Sequence, residues 1–296
     1  MHLVGVVTLL VAPCAALSVG VPAARTVMRA TAPAQRAAAP DMGLGMVKYL
    51  AAGPALYACM SVNEYCTHRW YQHEQFNKEV WMQKIAGFLL RKKEHKIQGG
   101  GHVEHHAETY DDMTLKKDAR WARTPAAKSL DADVFRGTSF TWDTTALMTV
   151  QMLPTTVPVF KLLGFGLGGT FAWLLPGMLL HALIWNMLHP PMHGLPGVPF
   201  RIGAPSHWLA GLRNTPYFRY IYENHQGHHV LGGQVNYNVC CPLTDHLMGT
   251  YVPTSVWAPQ MRAVPPMGAV ERWGPAVEPT GVPQAPLDTK RYPVAV

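Results

Sequence analysis

Charge is scarce in this chain. Asp, Glu, Lys and Arg make up 15% of its 296 residues, against roughly 25% in ordinary soluble domains. That deficit argues against a fully solvated globule and for apolar surface facing something other than water. Cysteine pairing is missing as well. Cys14, Cys59, Cys66, Cys240 and Cys241 show no zinc-finger or dithiol spacing, and adjacent Cys240 and Cys241 seldom bridge each other. All five are read as reduced thiols, with no disulfide scaffold. No stretch alternates basic and aromatic residues as a nucleic-acid surface would, so nucleic acid is not an expected partner. The net charge of +7 points instead to anionic lipid or an acidic redox partner.

Histidine is what the chain has in quantity. Ten of its 15 histidines fall into four short boxes: His68/His73 in HRWYQH, His102/His105/His106 in HVEHH, His189/His193 in HPPMH, and His225/His228/His229 in HQGHH. Neutral imidazole is the commonest nitrogen ligand for zinc and iron. Ten imidazoles are too many for one ion and about right for two. The chain therefore reads as a dinuclear metal protein, with these ten residues as the ligands.

The boxes sit between apolar blocks. Residues 1–40 lack Asp, Glu and Lys; they open with the apolar run Leu3–Val11, reach CAALS, and continue Ala-rich with Arg25, Arg29 and Arg36. That order reads as a targeting leader, signal-like then transit-like, of the kind that directs proteins to plastids; a plain signal peptide, or a membrane helix with a linker, is the alternative. Residues 41–251 form the expected catalytic domain. Leu44–Val62 is long enough to cross a bilayer, Val80–Leu90 suits the interface, and Thr144–Phe165 and Gly168–Leu188 suit two further spans. Pro154, Pro158 and Pro176 would kink the last two.

One crossing followed by a hairpin of two puts all four boxes on one side. The basic loop Arg91–Arg136 marks that side as cytosolic, or stromal in a plastid. The expected fold is all-α: an integral membrane helical bundle with a histidine-rich di-metal cap. Endoplasmic reticulum is the alternative location. Val252–Val296 holds nine prolines and reads as an extended tail, wrapping the surface or left disordered.

Ligand geometry follows from helix periodicity. Each i, i+3, i+4 triplet projects its imidazoles from one face and can serve two ions. His68 and His73, five apart, reach different metals or need a local bulge. Two prolines inside box three make a regular helix there unexpected. His181, inside an apolar span, is a candidate extra ligand or a histidine bonded to a neighbouring helix. Glu64 can accept a ligand's second N–H or serve as an interfacial charge. Asp245, with Asn236 upstream, can support box four or cap a helix. Gly99–Gly101 lets the backbone turn sharply towards box two. His2, His95, His207 and His246 read as ordinary, and RKKEHK as a headgroup-facing or donor-docking run. All-nitrogen ligation suits iron that activates dioxygen; ligand type alone also admits zinc.

The box order, the entry EYCTHRWYQH, the triplet HVEHH, and the exit NHQGHH…NYN…TDHLMGT together resemble the fatty acid hydroxylase/sterol desaturase superfamily over about residues 45–251. The resemblance implies a non-haem di-iron centre on the ten box histidines, with O2 as co-substrate. It further implies hydroxylation or desaturation of a lipid drawn from the bilayer, fed by two electrons. No HPGG haem signature is present, so the electron donor is a separate protein of cytochrome b5 or ferredoxin type. Asn186 stands where many relatives have Asp, three residues before the first histidine of box three. Carotenoid hydroxylation, acyl-chain oxidation and sterol oxidation are not separable from the sequence. A membrane metal-binding or transport protein is the competing class, although transporters place their ligands near the midplane. A zinc hydrolase would need three ligands and an acid/base residue, not ten histidines.

Overall fold

The computed structural model describes residues 42–91, 96–116, 119–130, 135–195, 211 and 214–263. The expected leader lies outside the described residues, as do His2, His95 and His207. Among the described residues regular structure is helical, with one isolated bridge between Thr109 and Leu115.

Three long helices form the base: α1 (Met42–Cys66), α5 (Trp142–Leu162) and α6 (Leu167–Met192). Short helices build the cap: α2 (Val80–Leu90), α3 (His102–Glu108), α4 (Pro125–Leu130), α7 (Pro216–Val230), α8 (Leu243–Met248) and α9 (Thr254–Trp257). Thr141 starts α5 by accepting the Thr144 N–H at 3.2 Å, a side-chain cap on an otherwise orphaned donor. Gly164, at φ 81°, ends it, and the Phe165 N–H returns to the Phe160 carbonyl at 2.9 Å. That left-handed turn reverses the chain into α6, making α5 and α6 the expected hairpin.

Leu56 and Cys59 of α1, Met148, Met152 and Phe160 of α5, and Leu174, Met178 and Trp185 of α6 meet in one core. The outward faces are apolar as well: Leu50 is 73% exposed and Leu162 88%. A belt of this kind is unfavourable in water. One described helix, Leu167–Met192, is long and apolar enough to cross a membrane by length and composition. The other two have the length but carry more polar residues. In α1 these include Lys48; in α5 they include Asp143, Gln151 and several threonines, three of which return their hydroxyls to carbonyls in the preceding turn (Thr145, Thr149 and Thr155).

The boxes lie at one end of this base. At the opposite end, Tyr49 of α1 packs on Phe165 of the hairpin turn, ring centroids 5.4 Å apart.

Two expectations need correction. Box three is helical despite its prolines. Pro190 and Pro191 fall in the last turn of α6, where their missing N–H groups give up at most the final i→i−4 bonds and no further turn follows to be kinked, and His193 N–H closes the helix on Pro190 O at 3.0 Å. The C-terminal tail does not begin at Val252. Val252, Trp257 and Ala258 are buried against Leu231 and Val235, and Arg262 clamps Asp111 through its backbone N–H and guanidinium, each at 2.7 Å. The folded domain therefore reaches at least residue 263. Cys59, Cys240 and Cys241 carry free thiols.

Candidate metal centre

The ten box imidazoles gather into two adjacent groups. His68, His73, His102, His106 and His228 form the first; His105, His189, His193 and His225 form the second, and within each the ligand atoms lie within 4.8 Å of one another. His229 joins the second group, its Nε2 3.1 Å from that of His225.

Helix geometry explains the partition. Each triplet sends its i, i+4 pair to one group and its middle residue to the other, and the two triplets do so in opposite senses. Box two gives His102 and His106 to the first group and His105 to the second. Box four gives His225 and His229 to the second and His228 to the first. Box one completes the first group and box three the second.

Box one needed a device for this. Residues five apart on an α-helix diverge by about 140°. Here Thr67–Gln72 widens into a π-helical turn, with the His73 N–H on the His68 carbonyl at 2.9 Å. The i→i+5 bond sets His73 above His68, so both face one group. This is the bulge alternative, and it keeps the pair in one imidazole group.

The contacts inside each group all run Nε2 to Nε2. They measure 2.7 Å for His68–His102, 2.8 Å for His73–His228 and 3.1 Å for His106–His228 in the first group. In the second they are 2.8 Å for His189–His225, 3.2 Å for His105–His193 and 3.4 Å for His189–His193.

Six of the opposite ring nitrogens are committed elsewhere; the buried Nδ1 of His225 has no hydrogen-bond partner. Nδ1–H of His68 donates to Tyr237 O, of His102 to Gly137 O, of His189 to Thr138 O, of His193 to Met113 O and of His228 to Val235 O. His105 Nδ1 faces Glu108 Oε1 at 3.2 Å. A neutral imidazole that donates from Nδ1 has a bare lone pair at Nε2. In His68–His102 and His189–His193, therefore, two lone pairs point at each other, which is repulsive unless a cation lies between them. Metal–nitrogen bonds of about 2.1 Å at right angles would separate cis nitrogens by about 3.0 Å. The donor set fits two metal ions.

Burial keeps the ligands in the form a metal needs. It pushes His102 down to about 4 and His228 to about 3. His105, His106, His193, His225 and His229 are also lowered, first by burial and then by neighbouring imidazoles. All are neutral at physiological pH.

The supporting residues act differently from the expectation. Glu64 holds no imidazole: it accepts the backbone N–H groups of Val239 and Cys240 on Oε1 and Cys241 on Oε2, at 2.7–2.9 Å. Asp245 accepts those of Tyr237 and Asn238 at 2.9 and 2.6 Å. Together they pin residues 237–241, and through the Tyr237 carbonyl they fix His68. Asn236, at φ 52°, exchanges two hydrogen bonds with Val252.

His181 lies apart from both imidazole groups, beside Glu64 and Cys241. His246 pairs with the Tyr220 hydroxyl. Gly100 and Gly101 take φ of 70° and 95° ahead of His102, so the glycine run does turn the chain into box two.

The five carbonyls that orient ligands escaped sequence reasoning, since every residue carries one. Two glycines held the only clue. A side chain at Gly233 would overlap the His73 ring, and one at Gly137 would approach His105 Cβ to 2.8 Å.

Comparison of the chain with protein-family models, curated proteins and solved structures finds no match in any of the three.

Proposed function

We propose that this chain is a membrane-bound, non-haem di-iron enzyme that uses O2 to hydroxylate or desaturate a lipid or isoprenoid. The observation that carries the reading is the pair of adjacent five-imidazole groups with converging Nε2 atoms. Donor chemistry supports iron: neither imidazole group contains a thiolate or a carboxylate, and all-nitrogen sites suit iron in oxygen chemistry, while zinc would be a structural substitute.

When bound, the two irons would supply the O2 activation and electron transfer that break an unactivated C–H bond. For hydroxylation the balance is one O2, two electrons and two protons per substrate, giving one alcohol and one water. The chain's own residues hold and orient. Backbone carbonyls fix the imidazole tautomers, the Glu64 and Asp245 carboxylates fix the loop that supplies Tyr237 O, and the buried second group keeps water from its ligands. The apolar belt on α1, α5 and α6 supports a bilayer setting with the centre at one membrane face. Electrons would come from a separate protein, of cytochrome b5 or ferredoxin type, docking on the basic cap. A plastid lipid or carotenoid is the finer reading of the substrate, carried by the leader alone.

The test is lipid and pigment profiling of a host with and without the gene, alongside a His102→Ala control. Accumulation of one hydroxylated or desaturated product, absent from the control, supports the reading. Two bound metals with no product in any lipid class would favour metal binding or transport instead.

A further inference from the structure

A cavity of about 330 Å3 lies between α1 and α6, outside both imidazole groups. Its walls include Leu56 and Met60 from α1 and Leu180 and Ile184 from α6, and Cys240 and Cys241 also line it. Tyr57 and Leu180 at its rim are 41% and 55% exposed, on the apolar outer face of the helices. The cavity thus faces sideways, where a bilayer would be, rather than into the polar cap.

One lining residue does not belong in an apolar wall. His181 is 2% exposed, and neither ring nitrogen has a hydrogen-bond partner. Glu64 Oε2, 3.9 Å from Nε2, is out of hydrogen-bonding reach and already accepts the Cys241 N–H. The ring packs edge-on to Phe140 and Trp185, with centroids 6.0 and 6.3 Å away. Trp185 packs in turn on the ligand His189 at 4.8 Å. Buried polar groups in folded proteins are almost always paired, and the cavity is where His181 can find a partner. The other polar side chains in the lining are the Tyr57 and Tyr217 hydroxyls and two thiols, and the Tyr217 hydroxyl already donates to Cys240 O at 2.8 Å. No Lys or Arg lines the cavity, so a carboxylate or phosphate would enter without a counter-charge.

We infer that this cavity binds a bilayer-derived molecule that is apolar except for one uncharged oxygen function, hydroxyl or carbonyl, and that His181 hydrogen-bonds that oxygen. Neutral imidazole both donates and accepts, so it serves either group. That this molecule is the substrate of the metal centre rests on the oxygenase reading; its binding does not.

The full chain, loaded with iron in phosphatidylcholine nanodiscs, is photolabelled with three diazirine probes of equal chain length: a primary alcohol, the parent hydrocarbon and the fatty acid. Labelled residues are mapped by mass spectrometry, and metal content is measured on the same samples. The alcohol should label cavity residues about fivefold more than either other probe, the size of one net hydrogen bond. His181→Leu should erase that preference and His181→Gln should keep it.

Gly53→Leu should abolish labelling by all three probes. Gly53 lines the cavity, and an added Cβ there meets nothing within 4 Å, so a side chain enters the space without moving the backbone. Equal labelling by alcohol and hydrocarbon, a preference that survives His181→Leu, or no labelling in the cavity would overturn the inference. Unlabelled cavity with full metal content sinks this proposal alone; labelled cavity without metal sinks the oxygenase reading alone.

Discussion

The two imidazole groups have the same size and the same Nε2 chemistry, yet they are built into different parts of the molecule. Every histidine of the second group is buried, whereas His73 and His106 of the first are partly exposed. The first group leans on a loop: Val235 and Tyr237 carbonyls orient His228 and His68, and that loop is stapled by Glu64 and Asp245. The second group leans on α6. His189 and His193 close that helix, and Asn186, one turn earlier, bonds both the N–H and the carbonyl of Phe140, at 2.6 and 2.9 Å, beside the Thr138 carbonyl that orients His189. One half of the centre is thus held by side chains gripping a loop, the other by a helix end set in the core. The difference teaches that the halves should fail separately.

The largest effects should come from the ligands. His228→Ala should empty the first group and His225→Ala the second, each taking metal content from about two ions to about one and abolishing turnover. Membrane insertion should be unchanged in both, because these residues lie in α7 of the cap. If either substitution removed both metals, the halves would be one cooperative unit and the contrast would be wrong.

Changes behind the ligands should be smaller and equally selective. Glu64→Gln keeps the shape but weakens three acceptor contacts to residues 239–241, so first-group affinity should fall about 10–100-fold with the second group intact. Asn186→Leu removes both bonds to Phe140 and should do the reverse. Competitive chelation, titrated for each variant, reads both. Equal weakening of both groups by Glu64→Gln would contradict the division.

Among the described residues of the C-terminal segment, 252–263, none is bonded to either imidazole group, and these residues should act on stability. Trp257 is fully buried against α7, and Gly227 gives it room: a Cβ at Gly227 would come within 2.5 Å of the indole nitrogen. Trp257→Ala should cost about 3–5 kcal/mol of stability, seen as a lower unfolding temperature in detergent. Arg262→Ala takes the exposed guanidinium away from the buried Asp111 carboxylate, which keeps the residue-262 backbone N–H, so its cost should be about 1–3 kcal/mol. Removing the chain after Asp288 should leave metal content unchanged; metal loss on that truncation would make the tail part of the centre's cover.

What was legible in the sequence was periodic. The i, i+3, i+4 triplets foretold imidazoles divided between two groups, and the lengths of the apolar blocks foretold three long helices with the boxes at one end. What was not legible depended on local geometry or on the backbone. The five-residue spacing of His68 and His73 left two outcomes open until the π-helical turn decided between them. The prolines of box three read as helix breakers because their place in the final turn was hidden. Glu64 sits one helical turn before His68, the place for a partner of the ligand, yet its carboxylate faces the Val239–Cys241 amides brought back from far along the chain. The start of the tail looked unstructured because its few apolar residues, Val252 and Trp257 above all, find their partners only in the folded cap.

The central claim is that the ten imidazoles make two separate metal sites. Anomalous diffraction from the purified, iron-loaded full chain, recorded across the iron edge, tests it most directly. Two resolved peaks are predicted, one among His68, His73, His102, His106 and His228 and the other among His105, His189, His193, His225 and His229, with one peak vanishing in His228→Ala and the other in His225→Ala. A single peak, or peaks that leave either set of five without metal, would contradict it.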